Sequence, residues 1–144
     1  MTQKQDDNIE EAPRRYDVEL FIVHPTIDPT EITVALELEP QHSWRVGASR
    51  QTPKGTPLPG VYPDTRWRHS RRYTTHDQWF AGAVADLIAT LIPHKEYLLQ
   101  LRATGGKTCL VIQFLDDAYL GDEISRETLA RIVELGLDLS LENF

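Results

Sequence analysis

One cysteine, Cys109, in 144 residues leaves no partner for an intrachain disulfide and excludes a cysteine-based zinc site. No apolar run is long enough for a signal peptide or a membrane-spanning helix, so the composition points to a cytoplasmic protein with no membrane attachment. Histidine spacing is lacking as well. His24, His42, His69, His76 and His94 never fall at i, i+2 or i, i+4, the spacings that put two imidazoles on one side of a strand or helix, so no metal centre is predicted. No internal repeat is present. What remains is 40% hydrophobic content, enough for the core of one ordinary domain.

Three apparent motifs fail on chemistry. Gly106, Lys107 and Thr108 resemble the end of a phosphate loop, but Leu101 stands where its first glycine belongs, and strand-like residues lie on both sides. Asp116, Asp117, Asp122 and Glu123 lack the spacing and closing glutamate of a calcium loop and read as a solvated turn. Cys109 sits in an apolar run and reads as a small buried hydrophobe with no sign of a lowered thiol pKa. The chain therefore implies no cofactor and no catalytic residue.

The strongest local signal is a helix start. Asp28 can accept from the free amides of the first turn, Pro29 stands where a missing N–H costs nothing, and Glu31 can reach back to the cap. Ile27 and Ile32 are placed as a hydrophobic staple, and the helix ends before Pro40. Strands are predicted over 16–23, 44–46 and 65–73, and a long helix over 77–91 that stops at Pro93. Residues 97–103 and 108–115 flank Gly105 and Gly106 as a β-hairpin would. Ser125 caps a helix through Leu135, Gly136 ends it, and Leu137, Leu139 and Leu141 alternate as a last strand. The order βαββαββαβ, with about three helices, predicts an α+β two-layer sandwich with a largely antiparallel sheet. Residues 1–14 form an acidic tail expected to be disordered, and residues 15–144 a single domain.

Phe21, Ile22, Asp28, Pro29, Ile32, Thr33, Leu36, Leu38, Pro40, Trp44, Gly47 and Trp67 resemble the uncharacterised bacterial domain family DUF4279. Ile124, Ser125, Leu129, Ile132, Leu135, Gly136, Leu137, Leu139 and Leu141 are similar to that family's closing helix and strand, so the likeness runs from about Tyr16 to Phe144. The resemblance implies a compact α+β fold in a bacterial, intracellular setting; it implies no reaction and no catalytic residues. The segment between Gly47 and Trp67 is longer and richer in proline than the family leads one to expect, and within it the loop 51–64 carries Pro53, Gly55, Pro57, Pro59, Gly60 and Pro63. That loop reads either as a functional lid or as a tolerated surface insertion.

The net charge of -7 conceals a basic middle. Between Gln41 and His76, seven cationic residues (Arg45, Arg50, Lys54, Arg66, Arg68, Arg71, Arg72) face Asp64 alone, a net of +6 that leaves -13 for the remainder. Strand alternation divides them, with Trp67, His69, Arg71 and Tyr73 on one face and Arg66, Arg68, Ser70 and Arg72 on the other, where one set can pair with acids. Guanidinium forks beside aromatic rings suit a small anionic ligand or a protein partner, and under a lid the site would comprise Trp44, Arg45, Trp67 and Arg71. Nucleic acid is disfavoured, because the acidic remainder repels a long polyanion. A homodimer joining basic and acidic faces stays open, as does an antitoxin-like acidic interaction protein, the latter by analogy alone. The preferred class is a non-enzymatic binding domain. The alternative is a hydrolase or transferase assembled from separate elements, with His69 or His76 as base and Arg45 or Arg71 holding an anion, and it would need an imidazole and a carboxylate about 2.6–3.2 Å apart in a cleft.

Overall fold

The computed structural model describes residues 12–116 and 120–143. Its centre is Arg15–His24 (β1), whose alternation buries Tyr16, Val18, Leu20 and Ile22 on one side. β1 pairs antiparallel with Thr65–Thr74 (β5) on one edge and with Lys107–Phe114 (β6) on the other. His42–Trp44 (β2) extends the sheet antiparallel beyond β5, and Asp138–Asn143 (β7) lies parallel to β6, giving the order β2-β5-β1-β6-β7. Ser49–Gln51 (β3) and Pro57–Val61 (β4) form a separate two-stranded arm.

The helices are Pro29–Leu36 (α1), Phe80–Leu91 (α2), Lys95–Ala103 (α3) and Arg126–Glu134 (α4). Their buried side chains join one cluster with the inward residues of β1, Trp67 of β5, and Leu110 and Ile112 of β6. The register places all of these strand residues on one face, so the helices cover that face and form the second layer. This is the expected α+β class with its largely antiparallel sheet.

α1 begins where its signal predicts. Asp28 accepts from the backbone N–H of Thr30 at 3.0 Å and from its hydroxyl at 2.8 Å, and these bonds hold the carboxyl below its usual range. Trp67 is fully buried, and its Nε1 donates to Thr33 Oγ1 at 3.0 Å. Buried Thr65 accepts from the N–H of Val46 and donates to the carbonyl of Ile27, joining the entry of α1 to the strand beneath it. The residues that carry the family likeness around Asp28, Thr33 and Trp67 are thus the ones that seat α1 on the sheet.

Several local expectations are corrected. Residues 97–103 are helix α3, not a strand: Leu98 and Leu101 are buried at helical spacing, and β6, the strand expected to pair with them, has β1 and β7 on its two edges. Gly105 and Gly106 close that helix, the N–H of Gly106 donating to the carbonyl of Leu101 at 2.7 Å. The helix expected from residue 77 starts at Phe80, since the Asp77 carboxylate closes the turn after β5 by accepting from the N–H and hydroxyl of Thr74. That helix ends at Leu91 as expected, and Pro93 lies in the 3-10 turn Ile92–His94 that leads into α3. The strand expected at 44–46 lies at 42–44, and segment 51–64 carries part of the β3–β4 arm. The order becomes βαββββααβαβ. Residues 1–11 of the expected tail, Asp117 and Phe144 lie outside the described residues.

Candidate functional site

The arm walls one side of a hollow. β2 ends at Trp44, and Gly47, at a positive φ of 81°, turns the chain so that its N–H donates to the carbonyl of Tyr62 at 2.9 Å. That closure brings the rings of Trp44 and Tyr62 into a stack, with centroids 5.0 Å apart and planes inclined by 14°. The Tyr62 hydroxyl bridges the backbone N–H and C=O of Gln51, tying strand β3 to the same ring. Between β2 and the arm lies a groove of about 500 Å³ whose walls include His42, Trp44, Arg50, Leu58, Tyr62 and Arg66. Asp64 holds Arg66 through Nε at 3.0 Å, whereas Arg50 reaches the carbonyl of Pro59 at 3.4 Å.

Of the four residues singled out in the sequence, only Trp44 lines this groove. Arg45 is exposed and leans on the α1 cap, 3.5 Å from Asp28. Trp67 is a core residue. Arg71 lies on the helix side, its guanidinium 5.1 Å from the centre of the Tyr73 ring, in a smaller hollow that His69 and Asp86 also line. The sequence reading assigns Arg50 and Arg66 only to the basic segment and not to a site, and does not place Tyr62 there either, because the hairpin turn that brings residues 50 and 62 together follows no period. The pairing of Gly55 and Gly60 with prolines on either side was the available signal for an arm.

Much of the basic segment is paired. Beyond Arg45 and Arg66, Arg68 reaches buried Glu19 at 3.2 Å and Arg72 reaches buried Asp17 at 2.9 Å, as the alternation of β5 predicts for the face opposite Trp67. Burial pushes the Glu19 carboxyl up despite the opposing pull of Ser70 and Arg68.

Catalytic geometry is sparse among the described residues. His69 donates through Nδ1 to the carbonyl of Glu39 at 2.7 Å. His94 stands 4.0 Å from the exposed carboxylate of Glu37, beyond hydrogen-bond reach. His24 is buried, accepting at Nδ1 from the N–H groups of Thr26 and Ile27, and burial lowers its pKa. Burial raises the pKa of the Cys109 thiol, which disfavours the thiolate. Thr108 donates to the carbonyl of Gly136 and accepts from Arg102, so the phosphate-loop lookalike is structural packing. No group of three or more metal-binding side chains occurs among the described residues, and no described helix is long and apolar enough to cross a membrane.

Fold and groove together define a two-layer α+β domain with a basic, aromatic cleft at one sheet edge. Residues 14–143 match the domain of unknown function DUF4279, and the chain belongs to that family. No curated protein and no solved structure matches it.

Proposed function

We propose that this domain is a non-enzymatic binding module acting in the cytoplasm, and that the groove beside β2 takes an anionic ligand, either a small molecule or an acidic protein segment. The observation that carries the reading is the stacked Trp44–Tyr62 pair with Arg50 and Arg66 on the same walls. Guanidinium groups supply charge and paired donors, and the aromatic rings and Leu58 supply a surface for a planar or apolar portion. Among the described residues Arg50 is held by one long bond to a carbonyl, so engaging an anion costs it little. A long nucleic acid fits poorly with a chain of net charge -7. The hydrolase or transferase alternative needs an imidazole and a carboxylate about 2.6–3.2 Å apart, and His94, 4.0 Å from Glu37, falls short of that reach.

The test is a thermal-shift screen with nucleotides, sugar phosphates, small carboxylates and acidic peptides, run on the wild type, Arg50→Ala and Trp44→Leu. A true ligand stabilises by about 2.7 kcal/mol at a hundredfold excess over its Kd, and both variants lose the shift. A shift retained in both variants, or no shift with any compound, refutes the assignment.

A further inference from the structure

The sheet face opposite the helices carries a pattern that the groove does not use. On three successive rungs of that face, β5 presents Arg68, Ser70 and Arg72, while β7 presents Asp138, Ser140 and Glu142. The register makes the rungs common to both: Arg68 with Phe21, Cys109 and Asp138; Ser70 with Glu19, Val111 and Ser140; Arg72 with Asp17, Gln113 and Glu142. A shallow hollow of about 570 Å³ lies on this face, floored by Phe21, Val23, Cys109 and Val111. The Arg68 guanidinium stands 4.5 Å from the centre of the Phe21 ring and forms its β5 bank, with Asp138 and Glu142 on the β7 bank.

We infer that this face is the interface of a two-fold dimer and that its occupant is a second copy of the chain. A two-fold axis parallel to the strands and lying between β1 and β6 turns one sheet over onto the other and reverses their left-to-right order. Each β5 then lies above the partner's β7, on matching rungs, because such an axis leaves position along the strands unchanged. Arg68 faces the partner's Asp138, Ser70 faces the partner's Ser140, and Arg72 faces the partner's Glu142. The contacts repeat on the other side of the axis, as a closed isologous interface requires. In the middle Phe21 meets the partner's Cys109, Val23 the partner's Lys107 and Glu19 the partner's Val111, at the usual sheet-to-sheet distance of about 10 Å.

Arg68 and Arg72 already hold Glu19 and Asp17, yet each fork has donors to spare for a second carboxylate. Four strands about 4.8 Å apart, over an eight-residue ladder rising about 3.4 Å per residue, cover about 500 Å² on each copy. Two copies bury about 1,000 Å², the lower bound for a specific interface, so the dimer is reversible. This inference goes beyond the ligand groove and stands apart from it: Arg50→Ala abolishes ligand shifts and leaves the mass unchanged.

Sedimentation velocity of the full chain across a wide concentration range tests it. The wild type is expected to pass from 16.5 kDa to twice that mass as concentration rises, and to return to monomer in high salt. Asp138→Arg with Glu142→Arg, and separately Ser140→Arg, are expected to stay monomeric at every concentration with cooperative unfolding retained. Cys109 lies on the covered face, so its alkylation in the wild type is expected to slow as the dimer forms. A wild type that remains monomeric throughout assigns the face to some other occupant and overturns the inference. A dimer that persists in folded β7 variants overturns it too. Should the variants not fold, a Cys109 alkylation rate independent of concentration across the dimerisation range does the same.

Discussion

The indole N–H of Trp67, at the bottom of the core, is satisfied by the hydroxyl of Thr33 on α1 at 3.0 Å. Helix and sheet are therefore joined by a polar bond inside an apolar contact, where an unmade bond is costly. Thr33→Val keeps the shape and removes the acceptor, stranding a buried donor. We predict a loss of about 1–3 kcal/mol in urea unfolding, against about 3–5 kcal/mol for Trp67→Ala, which also opens a cavity. A Thr33→Val protein within about 0.5 kcal/mol of wild type would mean that the bond contributes nothing.

Gly106 has no room for a side chain. A Cβ there would meet the carbonyl oxygen of Leu101 at 2.6 Å and His24 Cδ2 at 2.9 Å, and the former is backbone that cannot swing aside. Gly106→Ala is expected to cost about 1–3 kcal/mol, measured by chemical denaturation. Gly55→Ala, which meets nothing within 4 Å and pays only for its positive φ of 86°, should cost less.

His24 makes stability depend on pH. It accepts two backbone N–H bonds at Nδ1 and bonds Thr104 Oγ1 through Nε2 at 2.8 Å, an arrangement that needs the neutral ring. Burial lowers its folded-state pKa below the ordinary 6.5, so the unfolded chain takes up the proton first. Its contribution is complete above about pH 6.5 and is lost as the pH falls below that value. Melting temperature should decline between about pH 7 and 5, and His24→Gln, which does not titrate there, should flatten the profile. An equal slope in both proteins would exclude His24 as its source.

Tyr97 offers a gain. Its hydroxyl is buried with no hydrogen-bond partner among the described residues, and burial raises its pKa. Tyr97→Phe removes an unsatisfied group and keeps the ring, and should stabilise the fold by about 1 kcal/mol in thermal or urea unfolding. Destabilisation would show that the hydroxyl has a partner after all.

Local chemistry was legible wherever neighbours in sequence decide the outcome. The cap at Asp28, the presence of a strand at β1, the alternation of β5, the Ser125 cap and the left-handed Gly136 all read directly from the residues. Residues 97–103 did not, because Tyr97, Leu98 and Leu101 satisfy a helical face as well as an apolar strand run. The occupancy of both edges of β6, by β1 and β7, settles the choice.

The site divides along the same line. Sequence by itself determined that the middle of the chain is basic and aromatic, and that β5 sends Trp67 to one face and Arg66, Arg68 and Arg72 to the other, since side chains alternate along any strand. It could not determine which cations are already spent. Asp28, Glu19 and Asp17 come from other elements, and only tertiary structure brings them to Arg45, Arg68 and Arg72. The same folding takes Trp67 into the core and brings Tyr62 to Trp44, because burial and long-range contact depend on which elements pack together and no local pattern encodes that.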